Sequence, residues 1–321
     1  MITGAPVTVG IVTWNSAACL ESCLASVRAQ THRPVDLLVV DNHSADGTRP
    51  LLERLTAPGE RVQLDRNTGF SSAHNLAIRR TRGTYYLALN PDVVLAPDFV
   101  SALAHTLDAE PHAGAATGKL RLADEPARLD STGIVMVPEQ RHFDRGQGQV
   151  DRGQYDRTEP VFGASGAAAF LRREMLDDVA IEGEVFDEDF FAYREDVDLA
   201  WRAQWRGWRC LYVPSATALH ARRVRPGQRT GLPAAINRHS VRNRFLLRLK
   251  NQTPGQAARF LLPALLRDLQ VAGYCLLREQ SSLPAFVEVA RLLPRILRKR
   301  RIIMAGRRVA PAEIDRWFVP S

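Results

Sequence analysis

In the first part of the chain, short apolar runs each end in a polar residue, and helix-patterned segments separate them. The run VTVGIVT (7–13) is β-branched and ends in Trp14-Asn15-Ser16. Leu20, Leu24 and Val27 then recur at helical spacing, with Asn15 or Ser16 placed to cap. Residues 35–40 form a second apolar run that stops at Asp41, and residues 61–64 a third. Gly69-Phe70-Ser71 opens a helix carrying Ala73, Leu76, Ala77 and Arg80, and residues 85–89 make a fourth strand before Asn90. Fully apolar strands alternating with amphipathic helices predict an α/β fold, its sheet mostly parallel and covered on both faces. Ligands of such sheets bind beyond the carboxyl ends of the strands. Thr13, Asp41, Asn90 and Asp92 all arrive at that edge. Any one of them is explained as a turn cap; the set argues for a site.

With 321 residues, 45% apolar and 24% charged, the chain is globular material for one large domain, or for a catalytic domain with an appendage. Cys19, Cys23, Cys210 and Cys275 show no CxxC spacing, which predicts buried, reduced thiols and no zinc site. The N-terminus lacks the pattern of a signal peptide, and no apolar run is long enough to span a bilayer, so a cytoplasmic protein is expected. The net charge is +8, and it is unevenly placed: fourteen Arg or Lys and no acid lie from Leu199 to Arg267. That imbalance predicts anionic partners.

Directly before the acid-free stretch stands FDEDFFAYREDVDLAWRAQWRGW (186–208). Glu195-Asp196 begins a helix whose Val197, Trp201, Trp205 and Trp208 form a core stripe. Carboxylates at a helix start interact well with its dipole. One held rigidly there is also placed to accept a proton from an alcohol. Asp92 follows a buried strand, and His220 ends the next extended run. Alone, these are a turn residue and a strand-end histidine. Together they offer an oxygen and a nitrogen to Mn2+ or Mg2+, with a nucleotide diphosphate supplying further oxygens.

Residues between Met136 and Val161 are irregular and read as a mobile loop. Gly163-Ala164-Ser165-Gly166 would let backbone approach a ligand, or make a tight packing turn. From about residue 234 the pattern is helical, with Ile236, Val241, Phe245 and Leu249 on one side and Arg238, Arg242, Arg244 and Arg248 around them. The later run LRKRR (297–301), near Arg291, Arg295, Arg307 and Arg308, predicts either a helix lying on an anionic membrane or a solvated basic face. The expected division is a catalytic domain over 1–225 and a basic helical region over 226–321.

The stretches IVTWNS (11–16), VVDNHSADGT (39–48), NTGFSSAHNLAIR (67–79), LALNPDVVLAPDF (87–99) and the run from 186 to 220, followed by RNRFLLRLKN (242–251), resemble family 2 glycosyltransferases. The likeness is to their bacterial rhamnosyltransferase-like branch and spans about residues 7–250. It implies a GT-A fold, a Rossmann-like sheet binding a nucleoside diphosphate sugar, with metal at a DxD-type motif. Carried onto this chain, Thr13, Asn15 and Asp41 would contact base and ribose, and Asn67, Gly69 and Asn75 would shape the nucleotide pocket. Asp92 and His220 would bind the metal, Asp196 would be the catalytic base, and Glu195 would position the acceptor or Asp196. The first acid of the DxD-type motif is Asn90 here, which leaves one charged oxygen. Arg222, Arg223 and Arg225 would help neutralise the diphosphate.

The resemblance implies a metal-dependent inverting transferase moving one sugar in cell-envelope polysaccharide synthesis. Its donor would be dTDP-L-rhamnose or, next, a UDP sugar. Its acceptor would be a saccharide or a polyprenyl-diphosphate-linked saccharide at the inner membrane face. A nucleotidyltransferase would need a Gly-rich loop where TWNSAACL stands. A processive synthase would need spanning helices and a QxxRW-type motif. No nucleic-acid module is recognised, so nucleic acid is not an expected partner, although a basic anion-binding protein is the rival from another class.

Overall fold

The computed structural model describes residues 2–222 and 234–319. Its strands are β1 (Ile2–Thr13), β2 (His32–Asp41), β3 (Arg61–Gln63), β4 (Tyr85–Leu89), β5 (Val93–Leu95) and β6 (Ala113–Leu122), then β7 (Leu129–Ser131), β8 (Ile134–Val137), β9 (Arg141–Asp144), β10 (Glu159–Val161), β11 (Ala168–Arg172) and β12 (Arg209–His220). Helices α1 (Ala17–Arg28), α2 (Thr48–Leu55), α3 (Gly69–Arg80), α4 (Phe99–Ala109), α5 (Arg173–Val179) and α6 (Glu195–Trp205) alternate with them. Five more close the chain: α7 (Ala234–Asn251), α8 (Pro254–Arg259), α9 (Leu261–Leu277), α10 (Pro284–Ala305) and α11 (Pro311–Asp315).

The main sheet runs β10-β12-β6-β11-β4-β1-β2-β3, with β5 added to β12 and β7 to β6. Strands β3, β2, β1 and β4 pair in parallel, as do β6 and β12. Strand β11 is inserted antiparallel between β4 and β6, so those two also point the same way. Strand β4 is buried along its whole length, which is why its sequence carries no alternation. Leu20, Leu24 and Val27 of α1 pack on one face of the sheet with Phe99, Leu103 and Leu107 of α4. Ala73 and Ala77 of α3, Met175 of α5, and Leu199 and Ala203 of α6 cover the other. The α/β fold read from the sequence is therefore present. Among the described residues the cysteines form no disulfide; Cys23, Cys210 and Cys275 are buried and Cys19 is half-buried.

The segment read as a mobile loop is instead ordered. Strands β8 and β9 form a hairpin, and Arg145 stacks on Tyr155 and Tyr212 at 4.8 and 4.9 Å. The buried Lys119 reaches back to Asp151 at 3.0 Å and Asp156 at 2.5 Å. The Gly, Asp and Arg of this stretch serve turns and ion pairs whose partners lie tens of residues away, so local composition misreads them.

Helices α7, α10 and α11 share a core with α6 and strand β8. Val197, Trp201 and Trp205 of α6 lie with Leu246 and Leu247 of α7, Ile296 and Ile303 of α10, and Phe318. The stripe ends at Trp205; Trp208 lies beyond the helix and donates to Asp178 at 2.8 Å. The cations of the acid-free stretch find acids elsewhere in the chain. Arg244 and Arg248 pair with Asp268, Arg242 and Arg238 with Glu288, and Arg202 with Asp198. Lys250 and Lys299 have fully buried side chains. Lys250 bonds Asp187, and Asp198 at 2.7 Å. Lys299 bonds Glu184 at 2.9 Å, Asp187 at 2.5 Å and Asp189 at 2.8 Å. Two lysines from the C-terminal helices thus hold the acidic segment that leads into α6.

Asp187, which both lysines reach, is buried. Burial alone would raise its carboxyl pKa, but Lys250 and Lys299 hold it well below the ordinary value. Removing one lysine leaves buried carboxylate charge without full compensation. Lys250→Met is expected to lower unfolding free energy by about 3 kcal/mol, read from urea midpoints. A loss below about 0.5 kcal/mol, as for an exposed pair, would show that the clamp contributes little.

Candidate active site

Register explains how Asp92 and His220 meet. Strand β5 pairs antiparallel with β12, aligning Val93 with His220, and Ala221 N–H donates to the Asp92 carbonyl at 2.9 Å. His220 Nε2 consequently lies 3.4 Å from Asp92 Oδ1. That oxygen is buried with no hydrogen-bond partner among the described residues. The other ring nitrogen, Nδ1, is 2.7 Å from Asp130 Oδ2. Burial would lower the His220 pKa, but Asp130 and then Asp92 outweigh it and push it up to about 9.

Asp130 was not singled out from sequence. It is fully buried, and Arg222 Nε holds its other oxygen at 2.6 Å. Arg222 also bonds Asp144, at the end of β9, at 2.6 Å. Its charge is thus committed to two carboxylates. Arg223 and Arg225 lie outside the described residues.

Two observations bear on a divalent cation. An orphaned buried carboxylate oxygen faces an imidazole nitrogen, and the opposite ring nitrogen is fixed by a carboxylate, the arrangement that orients metal-binding histidines. The donor set fits a cation that is shared with a ligand. Among the described residues no group of three or more His, Cys, Asp or Glu side chains is assembled around one point.

The path to Asp196 is short and continuous. Asn90 N–H donates to the Ala167 carbonyl at 2.9 Å. Next along the chain, Gly166 N–H donates to Asp196 Oδ2 at 2.9 Å. A Cβ at Gly166 would come within 3.2 Å of that same oxygen, so the glycine permits the close approach. Gly163, by contrast, packs against Ala200. Both glycines thus allow close packing within the protein, which is the packing-turn reading of the Gly-Ala-Ser-Gly run.

Asp196 Oδ1 accepts from Val197 N–H at 2.8 Å in the first turn of α6. Burial raises its pKa; the two N–H donors offset part of this, and the charge of Asp144 adds to the rise. Glu195 is pushed well above the glutamate range, by burial and then by Asp196. Its Oε2 has no hydrogen-bond partner among the described residues. Of the pair, Asp196 is the one whose oxygens accept from two backbone N–H groups, which favour its charged form.

The backbone entering α6 is unusual. Phe191, Tyr193 and Arg194 have φ of 63°, 72° and 74°, left-handed values that side chains rarely adopt. Asn243 on α7 holds this turn: its Nδ2 donates to the carbonyls of Phe190, Ala192 and Tyr193 at 2.8–2.9 Å. Arg242 adds bonds to the Asp189 and Phe190 carbonyls.

On the other side of the sheet edge, Thr13 is fully buried and its Oγ1 has no hydrogen-bond partner among the described residues. Asn15 joins the loop after β2, its N–H donating to Ser44 Oγ and its Oδ1 accepting from Ala45 N–H. Asp41 is paired with Arg49 at 2.8 Å. Asn67 Oδ1 accepts from Gly69 N–H at 2.9 Å, and Gly69, at φ 84°, sits where a Cβ would meet the Phe191 carbonyl at 2.5 Å. Asn75 is buried and clamps Phe186 through both backbone groups. These three brace the acidic segment from the α3 side.

Residues 8–180 match the model for glycosyl transferase family 2. The chain belongs to glycosyl transferase family 2. This transferase is 30% identical over 239 residues to the N-acetylglucosaminyl-diphospho-decaprenol L-rhamnosyltransferase of Mycobacterium tuberculosis, covering 65% of this chain and 74% of that protein. Its fold is similar to S. aureus TarS 1–349 in complex with UDP-GlcNAc (TM-score 0.55, 17% identity, 97% of this chain, 89% of that one). It is also similar to mannosyltransferase PcManGT from Pyrobaculum calidifontis, solved with GDP-Man and Mn2+ (TM-score 0.53, 19% identity, 94% of this chain, 85% of that one). The sheet and its helices are the GT-A fold expected from the sequence, with a C-terminal helical region.

Asn243 offers a direct test of how the turn before Glu195 is held. Asn243→Ala removes a donor from three carbonyls, of which Phe190 keeps Arg242 and the Ala192 N–H, and is expected to cost about 1–3 kcal/mol, together with faster amide exchange over residues 190–196. Unchanged exchange there would assign the turn's conformation to other contacts.

Proposed function

We propose that this family 2 transferase moves L-rhamnose from dTDP-L-rhamnose, with inversion, onto a hydroxyl of a polyprenyl-diphosphate-linked saccharide in cell-envelope polysaccharide synthesis. It would act at the inner face of the membrane that carries the acceptor. The observation that supports this most is the bonded path from Asp92 and His220, through Asn90 and Ala167, to Gly166 and Asp196. It sets a diphosphate-binding edge beside a carboxylate poised to take a proton. The named activity of the mycobacterial relative supports the choice of sugar and acceptor class.

In this reading Thr13, Asn15 and Asp41 border the base and ribose of the donor. Asp92 and His220 would hold a Mn2+ or Mg2+ ion, which when bound supplies Lewis-acid stabilisation to the departing nucleoside diphosphate. Asp196 accepts the acceptor hydroxyl proton as that oxygen attacks the anomeric carbon from the face opposite the leaving group. Gly166 and Val197 N–H keep the Asp196 oxygens in place. Glu195, held neutral, leaves its neighbour as the working base. Asp130 fixes the tautomer and orientation of His220, and Arg222 ties Asp130 to Asp144.

Asp196→Asn is expected to bind donor normally and to lose roughly 10²–10⁴-fold in transfer rate; near-wild-type turnover would remove Asp196 from this role. A base must be deprotonated to act, so kcat/KM rises with pH through the Asp196 pKa. Because that pKa is raised, the acid limb should lie above the ordinary aspartate value of 3.8. Asp144→Asn, which deletes a neighbouring negative charge, should move the limb to lower pH. A limb that stays put would disconnect the two groups.

Asp130→Asn is expected to weaken Mn2+ binding about 10–100-fold by calorimetry in the presence of nucleoside diphosphate. Unchanged affinity would show that His220 needs no such support. A UDP sugar is the second donor reading. Melting shifts across a panel of nucleotide sugars separate the two, and a larger shift with UDP sugars than with dTDP-L-rhamnose would replace the first.

A further inference from the structure

We propose that the outer face of α9 docks this protein on an anionic lipid bilayer; the inference rests on the lipid-linked acceptor of the proposed function. The sequence pointed to the basic run of α10 for such a role. In the fold much of that run's charge is spent on acids: Lys299 is buried on the acidic segment, Arg295 bonds Glu184 and Asp189, and Arg298 bonds Glu182. Helix α9 shows the opposite. Leu261, Leu262, Leu265, Leu266, Leu269 and Leu277 are between 48% and 81% exposed, while Ala264 and Cys275 face inward. Its acid, Asp268, pairs with Arg244 and Arg248 of α7, which leaves this leucine face free of negative charge. Arg259 precedes the helix and Arg278 follows it, both exposed.

A contiguous leucine face of this kind is seldom left in water. Leucines on one side, with cations at both ends, are what a helix lying in a headgroup layer presents. Among the described residues no helix is long and apolar enough to cross a membrane, so contact with a bilayer would be of this surface type. Charge favours lipid over a second copy: the chain carries +8, which attracts anionic headgroups and opposes pairing of like faces.

The position also suits a lipid-borne acceptor. Arg244, which holds Asp268 of α9, also donates to the Glu139 carbonyl in the β8–β9 turn at 3.0 Å. Strand β9 then runs to Asp144, which Arg222 binds beside Asp130 and His220. One strand of about 10 Å therefore separates the neighbour of the lipid face from the reaction centre.

The test is co-sedimentation of the full chain with vesicles of phosphatidylethanolamine and phosphatidylglycerol, against vesicles of phosphatidylcholine alone. The wild type should sediment with the anionic vesicles and less with the neutral ones. Leu262→Asp combined with Leu266→Asp should lower partition by about tenfold or more. Melting temperature and transfer to a water-soluble, short-chain acceptor should stay unchanged. Leu277→Asp, at the most exposed position, should act in the same direction with the least effect on folding. Equal sedimentation of wild type and variants, absence of vesicle binding by the wild type, or a wild-type dimer that these substitutions dissolve would each overturn the surface. Transfer to lipid-linked acceptor in detergent without vesicle binding would sink the docking face and leave the function standing. Vesicle binding without any such transfer would do the reverse.

Discussion

Two buried lysines govern the architecture of this transferase. Acids crowd the segment from Glu184 to Asp198, and its backbone enters α6 through left-handed residues. Alone, such a segment would repel itself and relax. Lys250 and Lys299, brought in by α7 and α10, neutralise Glu184, Asp187, Asp189 and Asp198 from within, and Asn243 and Arg242 tie down the carbonyls between them. Buried charges of this kind are costly unless fully paired. Here each of these acids has a cation within bonding distance, so the segment is held in place as it enters α6.

That rigidity sorts the acids by task. Asp187 and Asp198 are structural anions, spent on lysine and arginine. Glu195 and Asp196 open α6 between those two anions in the chain, and burial raises both. The difference between them is two backbone N–H groups, which Asp196 has and Glu195 Oε2 lacks. Across the site a second relay, Asp92–His220–Asp130–Arg222–Asp144, alternates acid and base over side chains far apart in sequence. Its last member raises the pKa of Asp196, so the relay and Asp196 are coupled through charge. The helices after residue 234 thus pack against the segment that enters α6, while α9 carries the most exposed leucines among them.

Much of this was legible beforehand. Strand β4 and the opening of α3 at Gly69 fall where apolar runs and a glycine place them, because those signals are local. His220 as a strand end, and Asp92 just past a strand, were likewise local readings; that they touch follows from one antiparallel pairing. Asp130 gave no signal, since its meaning comes from partners ninety residues away. The charge imbalance misled in part. A stretch without acids looks like a cationic surface, yet Arg242, Arg244, Arg248 and Lys250 point into the protein toward acids outside the stretch. Similarly, LRKRR reads as a basic face, but its lysine is the most deeply buried cation of α10.

What the sequence by itself determined was the period of each element and the order of its motifs: apolar strands with polar ends, a carboxylate pair opening a helix, and a histidine closing a strand. Those follow from backbone geometry and side-chain alternation, which act over a few residues. Tertiary structure alone decided which charges cancel, which acid keeps its proton, and which helix face meets solvent. The physical reason is that burial and ion pairing depend on distance in space, and no spacing along the chain encodes that Lys299 would close on Asp187.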